Sequence, residues 1–136
     1  MGVSYRDLKV WQRSMNLVLS IYATTCRFPK EELYGLVSQM RRAAVSVPSN
    51  IAEGKGRSTD RDRAHFYVQA RGSLLELETQ ILIAQQLNYM PRKEAEPLLQ
   101  SSAEIGRMLN ALVEAVSPEA THGRLRASPA RLTPDA

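Results

Sequence analysis

Apolar residues return every three or four positions from Leu8 through Trp11, Met15 and Val18 to Tyr22. That spacing puts them on one side of an α-helix. Ser4 and Asp7 stand where a capping box would start this helix, and Phe28-Pro29 follow its end near Cys26. A second helical stretch, about residues 31–53, carries Leu36, Met40, Ala43, Val47 and Ile51. A third opens at Thr59 and Asp62, carries Phe66, Ala70, Leu74, Leu77, Ile81 and Ala84, and ends around Asn88. A fourth carries Leu98, Ser102, Ile105, Leu109, Leu112 and Val116, with Pro97 bending or opening its first turn. No alternation of strand period competes. The connections are short, so successive helices are antiparallel neighbours, and the pattern predicts an all-α, up-down-up-down antiparallel four-helix bundle. The expected division is a bundle over residues 1–117 and a disordered tail over 118–136, rich in Pro, Ala, Ser and Arg without an apolar period.

Two of the helices carry more apolar surface than one stripe. In the first, Val10, Leu17 and Ile21 lie about 200–240° around from Met15, with Ser14 in the same sector. In the third, Arg71, Leu75, Glu78 and Leu82 form a second row spaced four, three and four. A monomeric bundle needs only one stripe per helix. Val10, Leu17, Ile21, Leu75 and Leu82 are therefore expected to meet another subunit, since contiguous apolar patches mark such contacts.

Pro48 interrupts the second helix without interrupting its apolar stripe. It removes the donor for the Ala44 carbonyl and costs about 3 kcal/mol in a helix interior. Polar residues crowd around it. Ser46, Asn50 and Glu53, with Arg71, Ser73 and Glu76 of the third helix, are expected to form a polar network that fixes the register of the two helices. Gly72 is expected to let them approach closely.

Charge adds a partner class. The net charge is +4. Residues 41–71 hold seven basic and three acidic residues, so this segment contains the whole excess. Arg41, Arg42, Lys55, Arg57, Arg61 and Arg63 are the candidate contacts for phosphates of RNA or DNA. The one cysteine, Cys26, allows no intramolecular bridge and reads as a small, partly buried hydrophobe in a reducing cytosol. The N-terminus lacks a signal-peptide core and no apolar run reaches membrane-span length, so a cytoplasmic protein without a membrane partner is expected.

Chemistry is sparse. The stretch Gly54-Lys55-Gly56-Arg57-Ser58-Thr59 lacks the strand and spacing of a phosphate-binding loop and reads as a helix end followed by a basic connector. His65 and His122 have no ligand neighbours at metal spacing. Glu53 and Glu76 have no accompanying nucleophile. No catalytic, cofactor-binding or metal-binding residue is assigned, and an enzyme is not expected.

The stretches YRDLKVWQ, GLVSQMRRAAVSVPSNIAEGKGR and YVQARGSLLELETQILIAQQLNY resemble a family of four-helix-bundle proteins encoded in intervening sequences of bacterial 23S ribosomal RNA genes, also labelled S23 ribosomal protein. The resemblance covers about residues 4–117. It implies a left-handed bundle, a ring-like homopentamer and no enzymatic activity. The family motif falls on Arg41, Arg42, Ser46, Pro48, Asn50, Glu53, Gly54 and Arg57, then Arg71, Gly72, Ser73 and Glu76. A more distant similarity, to the pentameric accessory protein of diversity-generating retroelements, implies nucleic acid and a reverse transcriptase as partners. Two functions follow as expectations: nucleic-acid binding, RNA foremost, by an oligomer, or an interaction scaffold for a protein such as a polymerase.

Overall fold

The computed structural model describes residues 3–116, and the tail expected over 118–136 lies outside them. The four periodic stretches are helices α1 (Lys9–Thr25), α2 (Leu36–Lys55), α3 (Asp60–Gln86) and α4 (Arg92–Val116). Single 3-10 turns at Tyr5–Asp7 and Lys30–Glu32 precede α1 and α2. Each helix packs on its sequence neighbours, and α1 closes the circuit against α4, without diagonal backbone contact. This is an all-α four-helix bundle.

The helix ends follow local chemistry. Thr59 Oγ1 accepts from the Asp62 backbone N–H at 3.1 Å and caps α3. Ser4 caps the short 3-10 turn instead of α1, accepting from Arg6 N at 3.2 Å. Glu32 Oε1 accepts from Leu36 N at 3.1 Å, which supplies the first turn of α2 and places its start later than the periodicity suggests. Between α3 and α4, Asn88 takes φ of 62°, a left-handed conformation that asparagine tolerates. Helix α4 begins at Arg92, so Pro97 lies in its second turn.

Met40, Val47 and Ile51 of α2, Leu74, Leu77 and Ile81 of α3, and Ile105 and Leu109 of α4 are buried in one core. Each such side chain stabilises the fold by about 1.5–3 kcal/mol. The stripes of α2, α3 and α4 follow the sequence pattern closely.

Helix α1 turns the other way. Val10, Leu17 and Ile21 are 4%, 2% and 0% exposed and belong to the core of their own chain. The expectation that they meet another subunit is therefore corrected. Trp11 and Met15 are only half-buried, and Tyr22 is exposed. The physical reason lies in the two hydroxyls of the buried face. Ser14 Oγ donates to Val10 O and Thr25 Oγ1 to Ile21 O, both at 2.7 Å. With their polar atoms satisfied by their own helix, Ser14 and Thr25 pack as small residues in an aliphatic row. The bulky Trp11, Met15 and Tyr22 are left at the outer α1–α2 groove. Cys26, expected to be partly buried, is exposed.

Candidate nucleic-acid interface

The α2–α3 turn carries four of the six basic candidates. Helix α2 ends at Lys55 and Gly56, and α3 opens at Asp60. The turn is drawn tight just before it. A Cβ on Gly54 would lie 2.7 Å from Tyr67 Cε1 and 3.1 Å from Phe66 Cβ, so α2 approaches α3 closely only because residue 54 has no side chain.

Arg57 and Arg63 are engaged within this turn. Arg57 Nη2 donates to Glu53 Oε2 at 2.6 Å, and its guanidinium lies 4.6 Å from the Phe66 ring centroid. Arg63 Nη1 donates to Asp60 Oδ1 at 2.7 Å. Lys55 and Arg61 make no ion pair among the described residues. Asp60 and Asp62 occupy the first turn of α3, where they complement the helix dipole and offset part of the positive field.

Arg41 and Arg42 are elsewhere. Fourteen residues of helix separate Arg41 from Lys55, about 21 Å at 1.5 Å per residue. Arg41 ties α2 to the end of α1. Its Nε donates to Thr25 Oγ1 at 3.0 Å and its Nη2 to Tyr22 O at 3.4 Å, with the guanidinium 4.4 Å from the Tyr22 ring centroid. Arg42 is exposed and lines a hollow of about 500 Å³ with Tyr22, Leu33, Tyr34 and Val45. The six candidates thus form two groups, and three of them are held by their own chain. Tyr34, 92% exposed beside Arg42, was not marked by the sequence pattern. Its place ahead of Gly35, outside any apolar period, was the available signal.

The polar network between α2 and α3 is smaller than expected. Ser46 Oγ and Ser73 Oγ are 2.8 Å apart, and Asn50 Nδ2 donates to Ser46 Oγ and Ser46 O, each at 2.9 Å. Glu53 turns to Arg57. Arg71 points to α4 and donates to Asn110 Oδ1 at 2.8 Å. Glu76 is exposed and accepts from Gln80 Nε2 at 3.3 Å. Helical phase explains the difference: at about 100° per residue, Ser73 faces α2, Arg71 leans toward α4 and Glu76 toward solvent. Gly72 does not serve the α2–α3 contact either. A Cβ there would meet nothing within 4 Å.

Two tyrosines have their ionisation displaced by their surroundings. Burial holds the Tyr67 phenol above its usual value of 10.0, with the Arg63 charge opposing. Tyr89 is raised foremost by its hydrogen bond to Glu32, 2.9 Å from the phenol oxygen, and next by burial and by the charges of Glu32 and Glu31. Among the described residues, no group of three or more His, Cys, Asp or Glu side chains could hold a metal ion. No described helix is long and apolar enough to cross a membrane.

A family model described as 23S rRNA-intervening sequence protein matches residues 6–111. No curated protein matches the chain. Among solved structures, the chain is similar to a protein of unknown function from the S23 ribosomal protein family of Bacteroides thetaiotaomicron. The TM-score is 0.70 at 19% identity, over 77% of this chain and 98% of that one. At this identity the likeness speaks to the fold alone.

Proposed function

The chain belongs to the 23S rRNA-intervening sequence protein family, and from that premise we propose that it is a non-enzymatic, homopentameric bundle of the cytoplasm that binds RNA through its α2–α3 turn. The observation that carries this reading is the pair Lys55 and Arg61, two cations at one turn that form no ion pair among the described residues. Arg57 and Arg63 flank them with geometry already fixed. One such turn offers few phosphate contacts. Several copies in one assembly would multiply them, and avidity grows steeply where geometry permits simultaneous contacts. Arg41 is a structural tie and leaves the set.

Filter binding to a structured RNA over a salt series tests the proposal. Affinity should fall as salt rises, and Lys55→Ala with Arg61→Ala should reduce the logarithmic slope by about 0.7–0.9 for each phosphate no longer neutralised. Absence of binding at low salt, or a slope indifferent to both substitutions, overturns it.

A second reading, a scaffold for a protein partner, draws on the apolar exterior. Leu19, Tyr22, Val45, Leu75 and Leu82 are all exposed. Recovery of a stoichiometric partner from the native lysate, with no affinity for RNA, would favour it.

A further inference from the structure

Helix α3 is apolar on two sides. Its inner stripe fills the bundle core. On the outer side Val68, Gly72, Leu75, Thr79, Leu82 and Gln86 follow one another at four, three, four, three and four, and all six are exposed. This is the spacing of a seam between packed helices. No member is charged, and Arg71 and Glu78, which flank it, are drawn off toward α4: Arg71 to Asn110, Glu78 to Ser102 at 2.7 Å. Thr79 Oγ1 donates to Leu75 O at 2.9 Å, so its methyl group remains the outward feature. Leu75 and Leu82 are 58% and 49% exposed.

Gly72 sits inside this seam. A mid-helix glycine costs about 1 kcal/mol relative to alanine. Nothing among the described residues requires it, since the space where its Cβ would project is empty. A glycine in an outward seam has a use if another backbone comes close there.

The counterpart is on the opposite side of the bundle. Trp11, Met15 and Val18 of α1, with Val45, Pro48 and Ala52 of α2, line an apolar hollow of about 300 Å³. It shares Val45 with the larger hollow beside Arg42, so the two run together along the α1–α2 groove. From Ser38 to Ala52 the groove follows about 21 Å of α2, and from Val68 to Gln86 the seam follows about 27 Å of α3. A helix of that length half sunk in a groove hides on the order of 1,000 Å² over both partners, the size at which specific interfaces begin. Charge agrees. Arg42 stands on the groove with no ion-pair partner among the described residues, and Glu76 stands exposed beside the seam.

We propose that the outer seam of α3, centred on Gly72 and Leu75, docks into the α1–α2 groove of a second copy of this chain, with Glu76 facing Arg42. The inference rests on the oligomeric reading above and names its contact. Seam and groove are different surfaces, so the contact is head-to-tail, and each copy both gives and receives. Arg42 then belongs to the contact between copies, and the α2–α3 turn is left for phosphates.

Sedimentation of the full chain and two surface variants tests this, with circular dichroism to confirm retained helix. Leu75→Glu should disable the seam and Val45→Glu the groove, each giving a species of one-chain mass. Mixed, the two should stop at a one-to-one heterodimer, because one intact seam and one intact groove remain. Arg42→Glu alone should weaken assembly about tenfold, and Arg42→Glu with Glu76→Arg should restore it. A wild-type chain of one-chain mass at all concentrations overturns both the oligomer and this contact. An oligomeric wild type whose mass neither variant changes, or a groove variant that still assembles, overturns the contact and leaves the oligomer standing.

Discussion

Gly54 of α2 faces the ring of Tyr67 in α3 at a distance no side chain could occupy: an added Cβ would lie 2.7 Å from Cε1 and 3.0 Å from Cδ1. Tyr67 is 2% exposed and has little room to withdraw. Gly54→Ala should destabilise the fold by about 1–3 kcal/mol, the range for forced overpacking. Denaturant unfolding measures it. Combining Gly54→Ala with a smaller residue at Tyr67 should be less damaging than the two effects added, since the substitutions share one space.

Gly72 provides the opposite case. With open space at its Cβ, Gly72→Ala should raise the stability of the isolated chain by about 0.5–1 kcal/mol through helix propensity. Thermal unfolding at high dilution is the appropriate measurement. A loss of stability there would mean that the α3 backbone is packed more tightly than its surroundings indicate.

Arg41 makes polar contacts to two residues of α1 and lies over the Tyr22 ring. Arg41→Ala should cost about 1–2 kcal/mol from the hydrogen bonds and the ring contact together. Arg41→Lys should recover less than half, because a lysine ammonium cannot serve the planar fork. Equal stability of Arg41→Lys and the parent would contradict this.

Ser46 and Ser73 form one hydroxyl pair, with Asn50 attached. Either serine replaced by alanine should lose about 0.5–1.5 kcal/mol. The double replacement should lose less than the sum, since no orphaned hydroxyl partner is left behind. A double-mutant cycle by chemical denaturation reads the coupling directly.

Alkaline pH should find two slow tyrosines. Tyr67 and Tyr89 both have pKa values raised above 10.0 in the folded chain, the first mainly by burial, the second mainly by its bond to Glu32. The folded state therefore holds these protons more tightly than the unfolded state. Their contribution to stability is full below the unfolded value and is lost as pH rises beyond 10 through the folded values. Absorbance at a phenolate wavelength should show two tyrosines titrating late, and Tyr89→Phe should remove one of them.

How far the chain's pattern foretells the fold depends on whether a helix offers one apolar row or two. In α2 and α4 a single stripe, Met40 to Ile51 and Leu98 to Leu109, has no rival, and the structure buries it. Helix α1 offers two rows of equal period. The larger side chains of Trp11, Met15 and Tyr22 suggest a core, but Val10, Leu17 and Ile21 pack more closely around Ser14 and Thr25, whose hydroxyls are satisfied locally. That choice is made by tertiary fit and leaves no mark in periodicity. The basic positions of the α2–α3 turn are plain in the chain. Which of them are already paired is not, because the partners Glu53 and Asp60 are chosen by side-chain reach. The polar network shrinks for a similar reason: residues two or three apart on α3 look to different neighbours.

The docking of Arg57 between the Phe66 ring and the Glu53 carboxylate has a thermodynamic consequence. Part of its side-chain freedom is given up to these two contacts on folding, whereas Lys55 and Arg61, which make no ion pair among the described residues, have more of theirs to lose on binding, up to about 2 kcal/mol each. An anionic partner would thus meet cations of equal charge and unequal stiffness. If a phosphate binds at this turn as proposed, Arg57 would set where it sits, and Lys55 and Arg61 would adjust to it.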